Sequence, residues 1–249
     1  MAPIAPELGT DVTVAVSLLG GFQLWWGGHP LPGVPRVSQR LLAFLALHGG
    51  VVNRATIAGT LWPDATERHA YANLRSALVR LERASRSVLQ ASRLELRLAE
   101  GVTVDIRQFR ALARRLLDPG MVLQPSDLGP DTLAGLSADL LPGWYDDWAL
   151  SEAEDWRQVR LHALEALADR LTAIGRWGAA AAAAGAAVRA EPLRESANAA
   201  LIKVHLAEGN QSEAVRQFER YRALLAAELG LEPTLGLRRL VQDLQTRSR

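Results

Sequence analysis

The sequence predicts a mainly α fold with a small β component, and three observations carry that prediction. Short strand-like stretches occur at residues 12–31 and 88–98. Apolar residues recur at helical spacing through residues 40–83 and again from Asp105 onward. A self-similarity with a period of 34 residues appears in the second half. Together they predict a winged helix-turn-helix domain followed by an all-helical, tetratricopeptide-like domain. The division expected is a loose tail over 1–11, the first domain over 12–101 and the second over 102–249.

The elements follow in order. Val12–Leu18 is β-branched and reads as a strand, Gly20-Gly21 as a turn, Phe22–Trp26 as a second strand, and a third short piece lies near Leu31. Arg40–His48 is a mostly buried helix stopped by Gly49-Gly50. Asn53 is placed to cap a helix over Arg54–Leu61, which Pro63 ends. Asp64 is placed to cap the third helix, with Glu67 completing a capping box. In that helix Ala70, Leu74, Ala77, Leu78 and Leu81 face inward. Val88–Gln90 and Leu94–Leu98 alternate across a turn at Ala91-Ser92-Arg93, a hairpin. Meander, three helices and hairpin is the element order of a winged helix of the OmpR type.

Asp105 is placed to cap a helix through Leu117, and Pro119–Pro130 reads as a loop. Beyond Asp131 the pattern is helical. Ala166-Leu167, Gly175 and Ala180 recur 34 residues later as Ala200-Leu201, Gly209 and Ala214. Two antiparallel helices per repeat is the tetratricopeptide arrangement, with Ala168, Ala180, Ala187 and Pro192 on its small-residue and terminator positions. The run Ala179–Ala184 then lets neighbouring helices approach closely.

Charge is uneven although the net is +1. Residues 36–97 carry ten Arg against four acids, and residues 102–249 carry 18 basic and 20 acidic residues. A basic first half beside a near-neutral second half fits a nucleic-acid module joined to a protein-binding module. The third helix supplies the face. His69, Ala72, Ser76, Val79, Arg80 and Arg83 lie opposite the apolar stripe, flanked by Arg68, Asn73 and Arg75. Asn73 suits adenine, Arg75 or Arg80 suits guanine, and Ser76 serves base or phosphate. Arg36 and Arg54 are candidate phosphate contacts, and Arg93 at the hairpin turn is a candidate for the minor groove. Each of these residues also fits an ordinary solvated surface.

Other chemistry is not signalled. With no Cys, disulfides and cysteine zinc sites are excluded. The five His form no pair at helical ligand spacing, so no metal is expected. Lys203 follows Ile202, so there is no phosphate-binding loop of the Walker type, and Gly135–Asp139 does not complete a nucleophile elbow. No cofactor and no catalytic residue are expected, and the chain reads as a non-enzyme. Trp62 reads as a core anchor. Trp144–Trp148 reads as helix capping plus packing, with a small-molecule site as the alternative. Val12–Pro35 is uncharged but broken by Gly, Pro and Gln23, and the first basic residue is Arg36. The expectation is a cytoplasmic chain with no membrane partner.

Four segments carry a family resemblance: Leu18–Phe22, Leu61–Asp64, Ala72–Arg83 and Glu228–Thr234. A fifth is Val104-Asp105. On these the chain resembles the actinobacterial antibiotic regulatory protein (SARP) family across residues 12–245. The resemblance implies an OmpR-type winged helix joined to a bacterial transcriptional activation domain (BTAD), in the manner of short members without an ATPase module. It also implies an activator of antibiotic biosynthesis that binds direct repeats in double-stranded promoter DNA and contacts RNA polymerase with its sigma factor. A second protomer is a further partner to expect. Two rivals stand beside it. One is a repeat-based adaptor with a degenerate winged helix, favoured by Glu82 and the near-zero net charge. The other is a ligand-gated regulator.

Overall fold

The computed structural model describes residues 13–81 and 88–246. The expected tail over 1–11, together with Glu82 and Arg83, lies outside the described residues. The fold is mainly α with a small β component, in two compact units. One takes the chain up to Gln108 and then Asp139–Ala153; the other takes Phe109–Ala138 and the chain from Glu154. This differs from a single cut at residue 102, because residues 139–153 return to the first unit. There Leu19 and Leu140 form an antiparallel bridge. Gly20 N–H donates to the Asp139 carbonyl at 2.8 Å, and Leu141 N–H to that of Leu18 at 2.9 Å.

The first unit opens with β1 (Val14–Ser17), β2 (Gln23–Trp26) and β3 (His29–Pro30). Val16 pairs with Leu24 across the antiparallel β1 and β2, and both point into the core. The sheet is completed by β7 (Thr103–Val104), parallel to β1. Helices α1 (Arg36–His48), α2 (Arg54–Leu61) and α3 (Glu67–Leu81) bury Leu41, Leu42, Leu45, Ile57, Leu61 and Leu74. A second sheet joins β4 (Val52–Asn53) and the hairpin β5 (Leu89–Ala91) and β6 (Glu95–Leu98), in the order β4-β6-β5.

Several junctions depart from the sequence reading. Helix α1 starts at Arg36 rather than Arg40, with Pro35 in extended geometry at its N-cap. Its first turn has one apolar residue, Val37, among Arg36, Ser38 and Gln39, so apolar spacing is blind to it. The buried Ser38 in that turn donates its hydroxyl to the Ala77 carbonyl at 2.9 Å, tying α1 to α3. At the other end Arg107 donates to the carbonyls of Ala46 and Leu45, a cation at the negative end of a helix. The cap of α3 is Thr66, not Asp64. The Thr66 carbonyl accepts the Ala70 N–H, the first bond of the helix, while Asp64 sits inside the turn. Asn53 does cap α2, accepting the Ala55 N–H at 2.8 Å. Asp105 opens α4 (Asp105–Leu117), and its carboxylate also takes the N–H groups of Leu18 and Leu19. Burial pushes its pKa up against the pull of these backbone donors.

In the second unit α4 continues into a 3-10 turn (Pro125–Leu128) and α5 (Pro130–Ser137). Then come α6 (Asp147–Ala173), whose residues up to Ala153 belong to the first unit, α7 (Trp177–Ala190), α8 (Glu195–Glu208), α9 (Gln211–Leu229) and α10 (Leu235–Thr246). Gly175 and Gly209 occupy equivalent inter-helix turns with φ of 73° and 85°, the left-handed region that favours glycine. Ala168, Ala180, Ala187 and Ala214 are fully buried. The repeat is shifted where the sequence set Ala-Leu against Ala-Leu: Leu167 is buried but Leu201 is half-buried, and Ile202 takes the buried place beside it. A polar link crosses from α9 to α8, where Gln217 donates to the buried Asn198 at 2.8 Å.

Candidate nucleic-acid interface

The first unit presents α2, a short turn and α3 as consecutive elements. What fixes the exposed face of α3 is which residues it buries. Ala70, Leu74, Ala77 and Leu81 are buried, whereas Leu78, expected to be inward, is only half-buried. At about 100° per residue the outward direction therefore turns toward Arg68, Ala72, Arg75 and Val79. Arg68, His69, Arg75, Val79 and Arg80 are exposed; Ala72, Asn73 and Ser76 are half-buried at its edges. Arg80 projects to one side of the strip. The His69 ring sits 2.9 Å from the Thr66 hydroxyl, so it is tied to the helix start. Among the described residues of α3, Glu67 is the one acid, at the first position, where it complements the helix dipole.

The other predicted contacts are partly engaged within the unit. The Arg36 guanidinium stacks 3.8 Å over the Trp144 ring, a cation–π contact. Arg54 donates from its side chain to the Ser92 carbonyl and from its backbone to the Leu94 carbonyl, holding the hairpin turn to the start of α2. Ser92 closes that turn by accepting the Glu95 N–H at 3.0 Å, which leaves Arg93 exposed at the tip. Arg54 is thus a support of the hairpin, and Arg93 is its projecting cation.

The aromatic run after Asp139 braces this unit. Trp148 meets Phe44 edge-on at 5.5 Å and Trp144 at 6.0 Å, and Trp144 lies 6.3 Å from Phe22. Arg40 pairs with Asp146 and also donates to the Leu61 carbonyl, at the end of α2. These long-range partners have no local sequence signal. Trp62 is not the expected core anchor. It is half-buried at the C-cap of α2, 6.0 Å from the Arg40 guanidinium. It lines an open cleft of ≈ 730 Å³ with Asp64, Tyr145 and Asp147. Among the described residues no three His, Cys, Asp or Glu are grouped to hold a metal ion. None of the described helices is long and apolar enough to cross a membrane.

Comparison with known proteins agrees with this architecture. Residues 104–245 match the family described as "Bacterial transcriptional activator domain". The chain is 26% identical over 241 residues to "Regulatory protein AfsR" of Streptomyces griseus, covering 91% of this chain and 24% of that protein. It is 28% identical over 233 residues to "Regulatory protein AfsR" of Streptomyces coelicolor, covering 90% and 23%. The chain therefore spans about a quarter of the length of these relatives. Among solved structures it is similar to Mycobacterium tuberculosis EmbR, there in complex with a low-affinity phosphopeptide. The TM-score is 0.62 at 24% identity, over 95% of this chain and 66% of that one. The chain belongs to the bacterial transcriptional activator domain family.

Proposed function

We propose that the chain is a sequence-specific DNA-binding activator of transcription. Its first unit lays α3 in the major groove of promoter DNA and brings the β5–β6 hairpin tip, with Arg93, toward the neighbouring minor groove. The helical unit docks a second protomer or RNA polymerase with its sigma factor. The observation that carries this reading is the outward face of α3. Arg68, Arg75 and Arg80 are exposed on one helix whose single described acid stands at its start. The helix-turn-helix and hairpin around that face are the setting in which such a helix reads DNA. The "regulatory" names of the relatives support the same reading.

The test is binding of the purified chain to duplexes from the promoters of neighbouring genes, over a range of salt. Three arginine–phosphate contacts predict an affinity that falls about fortyfold between 50 and 200 mM salt. An adaptor with a degenerate winged helix would bind polymerase and show no salt-dependent binding to any duplex.

A further inference from the structure

The two residues of α3 that point most directly away from the core are apolar. Ala70, Leu74, Ala77 and Leu81 set the inward direction, and at about 100° per residue Val79 and Ala72 each lie within about 10° of its opposite. Val79 is 63% exposed. A β-branched residue at such a position adds nothing to helix propensity and leaves its methyl groups in water. Cations surround it: Arg75 one turn before, Arg80 next in sequence, and Arg68 on the same strip, all exposed.

Ala72, Arg75, Ser76 and Val79 form an i, i+3, i+4, i+7 row. At about 1.5 Å per residue the row is roughly 10 Å long, about three base-pair steps. The major groove is wide enough to admit a helix, and its floor bears a single kind of apolar group, the C5-methyl of thymine. An isolated exposed valine bordered by arginines complements a surface that is anionic at its walls and carries a methyl on its floor. Ala72, at the other end of the row, is half-buried and ends at its β-carbon, so it reaches less far.

We propose that Val79 packs on the C5-methyl of one thymine in the binding site and so selects thymine at that position. The inference rests on the DNA-binding reading above and adds a base to it. To test it, duplexes are enriched from a randomised double-stranded library on the full chain. Each thymine of the enriched duplex is then replaced singly by deoxyuridine, which keeps every hydrogen-bonding group and removes only the methyl. The parent chain is expected to lose about fourfold in affinity at one thymine, the worth of one buried methyl-sized group. Val79→Ala is expected to keep the parent's circular dichroism and melting temperature and to bind thymine and deoxyuridine equally at that position. A duplex in which every thymine tolerates the replacement overturns the inference while DNA binding stands. So does a Val79→Ala chain that remains sensitive to the missing methyl, or one that melts earlier than the parent. Failure to bind any duplex overturns the DNA-binding reading and the inference with it.

Discussion

The arginines of α3 and those of the helical unit are put to opposite uses. On α3, Arg68, Arg75 and Arg80 stand exposed. In the helical unit Arg115 forks onto Asp127, Arg157 bridges Glu154 and Glu191, Arg194 holds Glu165, and Arg216 pairs with Glu213. Arg160 is buried and donates to the Ser137 carbonyl. These five arginines are engaged within the helical unit, and with 18 basic against 20 acidic residues over 102–249 that half of the chain offers little net field to a polyanion. Arg68, Arg75 and Arg80 of α3 show no ion pair among the described residues. Composition showed this as a basic first half, but only the pairing distinguishes cations that hold the fold from cations that are free to bind.

Substitutions can break or sharpen that contrast. The largest effect is expected at Leu74→Ala, next in sequence to the exposed Arg75 but pointing inward. Leu74 is 1% exposed, and its truncation should cost about 2–5 kcal/mol in urea unfolding. Leu78→Ala should cost less, because Leu78 is half-buried. Equal costs at the two positions would show that the inward direction of α3 is misassigned.

Next comes Asp127→Asn, which strips Arg115 of its partner. A cost of about 1.5–3 kcal/mol is expected near neutral pH, with DNA affinity unchanged. The hydrogen bond from Arg115, followed by that from the Gln124 backbone, holds the Asp127 carboxyl below its usual range. Its stabilisation is therefore complete above the ordinary carboxylate pKa, about 4, and is lost as pH falls through the lowered folded value. Acid titration of stability should show that loss in the parent and less of it in Asp127→Asn.

Arg75→Ala should do the reverse. The expected loss is about 5- to 150-fold in promoter affinity, with the melting temperature unchanged; Arg80→Ala should behave alike. A fall in melting temperature comparable to that of Asp127→Asn would erase the contrast between the two sets of arginines. The smallest effect is expected at Arg216→Ala, in an exposed pair one turn apart on α9. It should change stability by no more than about 0.5 kcal/mol and DNA affinity not at all.

Much of the fold was legible because local chemistry wrote it. Asn53 and the break at Pro63 fixed α2 to the residue. Gly175 and Gly209 marked equivalent turns. What was not legible depends on distant partners. The first turn of α1 is anchored by Ser38 to a carbonyl 39 residues away, which no window on the sequence can see. Asp64 and Thr66 are both competent caps by type, and only the path of the turn chooses between them. Arg36 and Arg54 read as free cations until Trp144 and Ser92 came within reach. The outward strip of α3 was placed too far toward His69, Ser76 and Arg80, in part because Leu78 counted as core by type although its surroundings leave it half open.

The return of residues 139–153 to the first unit bears on the order of events during synthesis. The three helices and the hairpin are all translated by Leu98, yet the strand bridge to Leu140 and the indole of Trp148 against Phe44 are made by residues translated later. At about 5–20 residues per second that is a delay of roughly two to ten seconds. During it the apolar surface around Leu18 and Phe44 lacks its final cover. A nascent chain stalled just past Leu98 should accordingly be recognised by ribosome-associated chaperones, and one stalled well past Ala153 should be released from them.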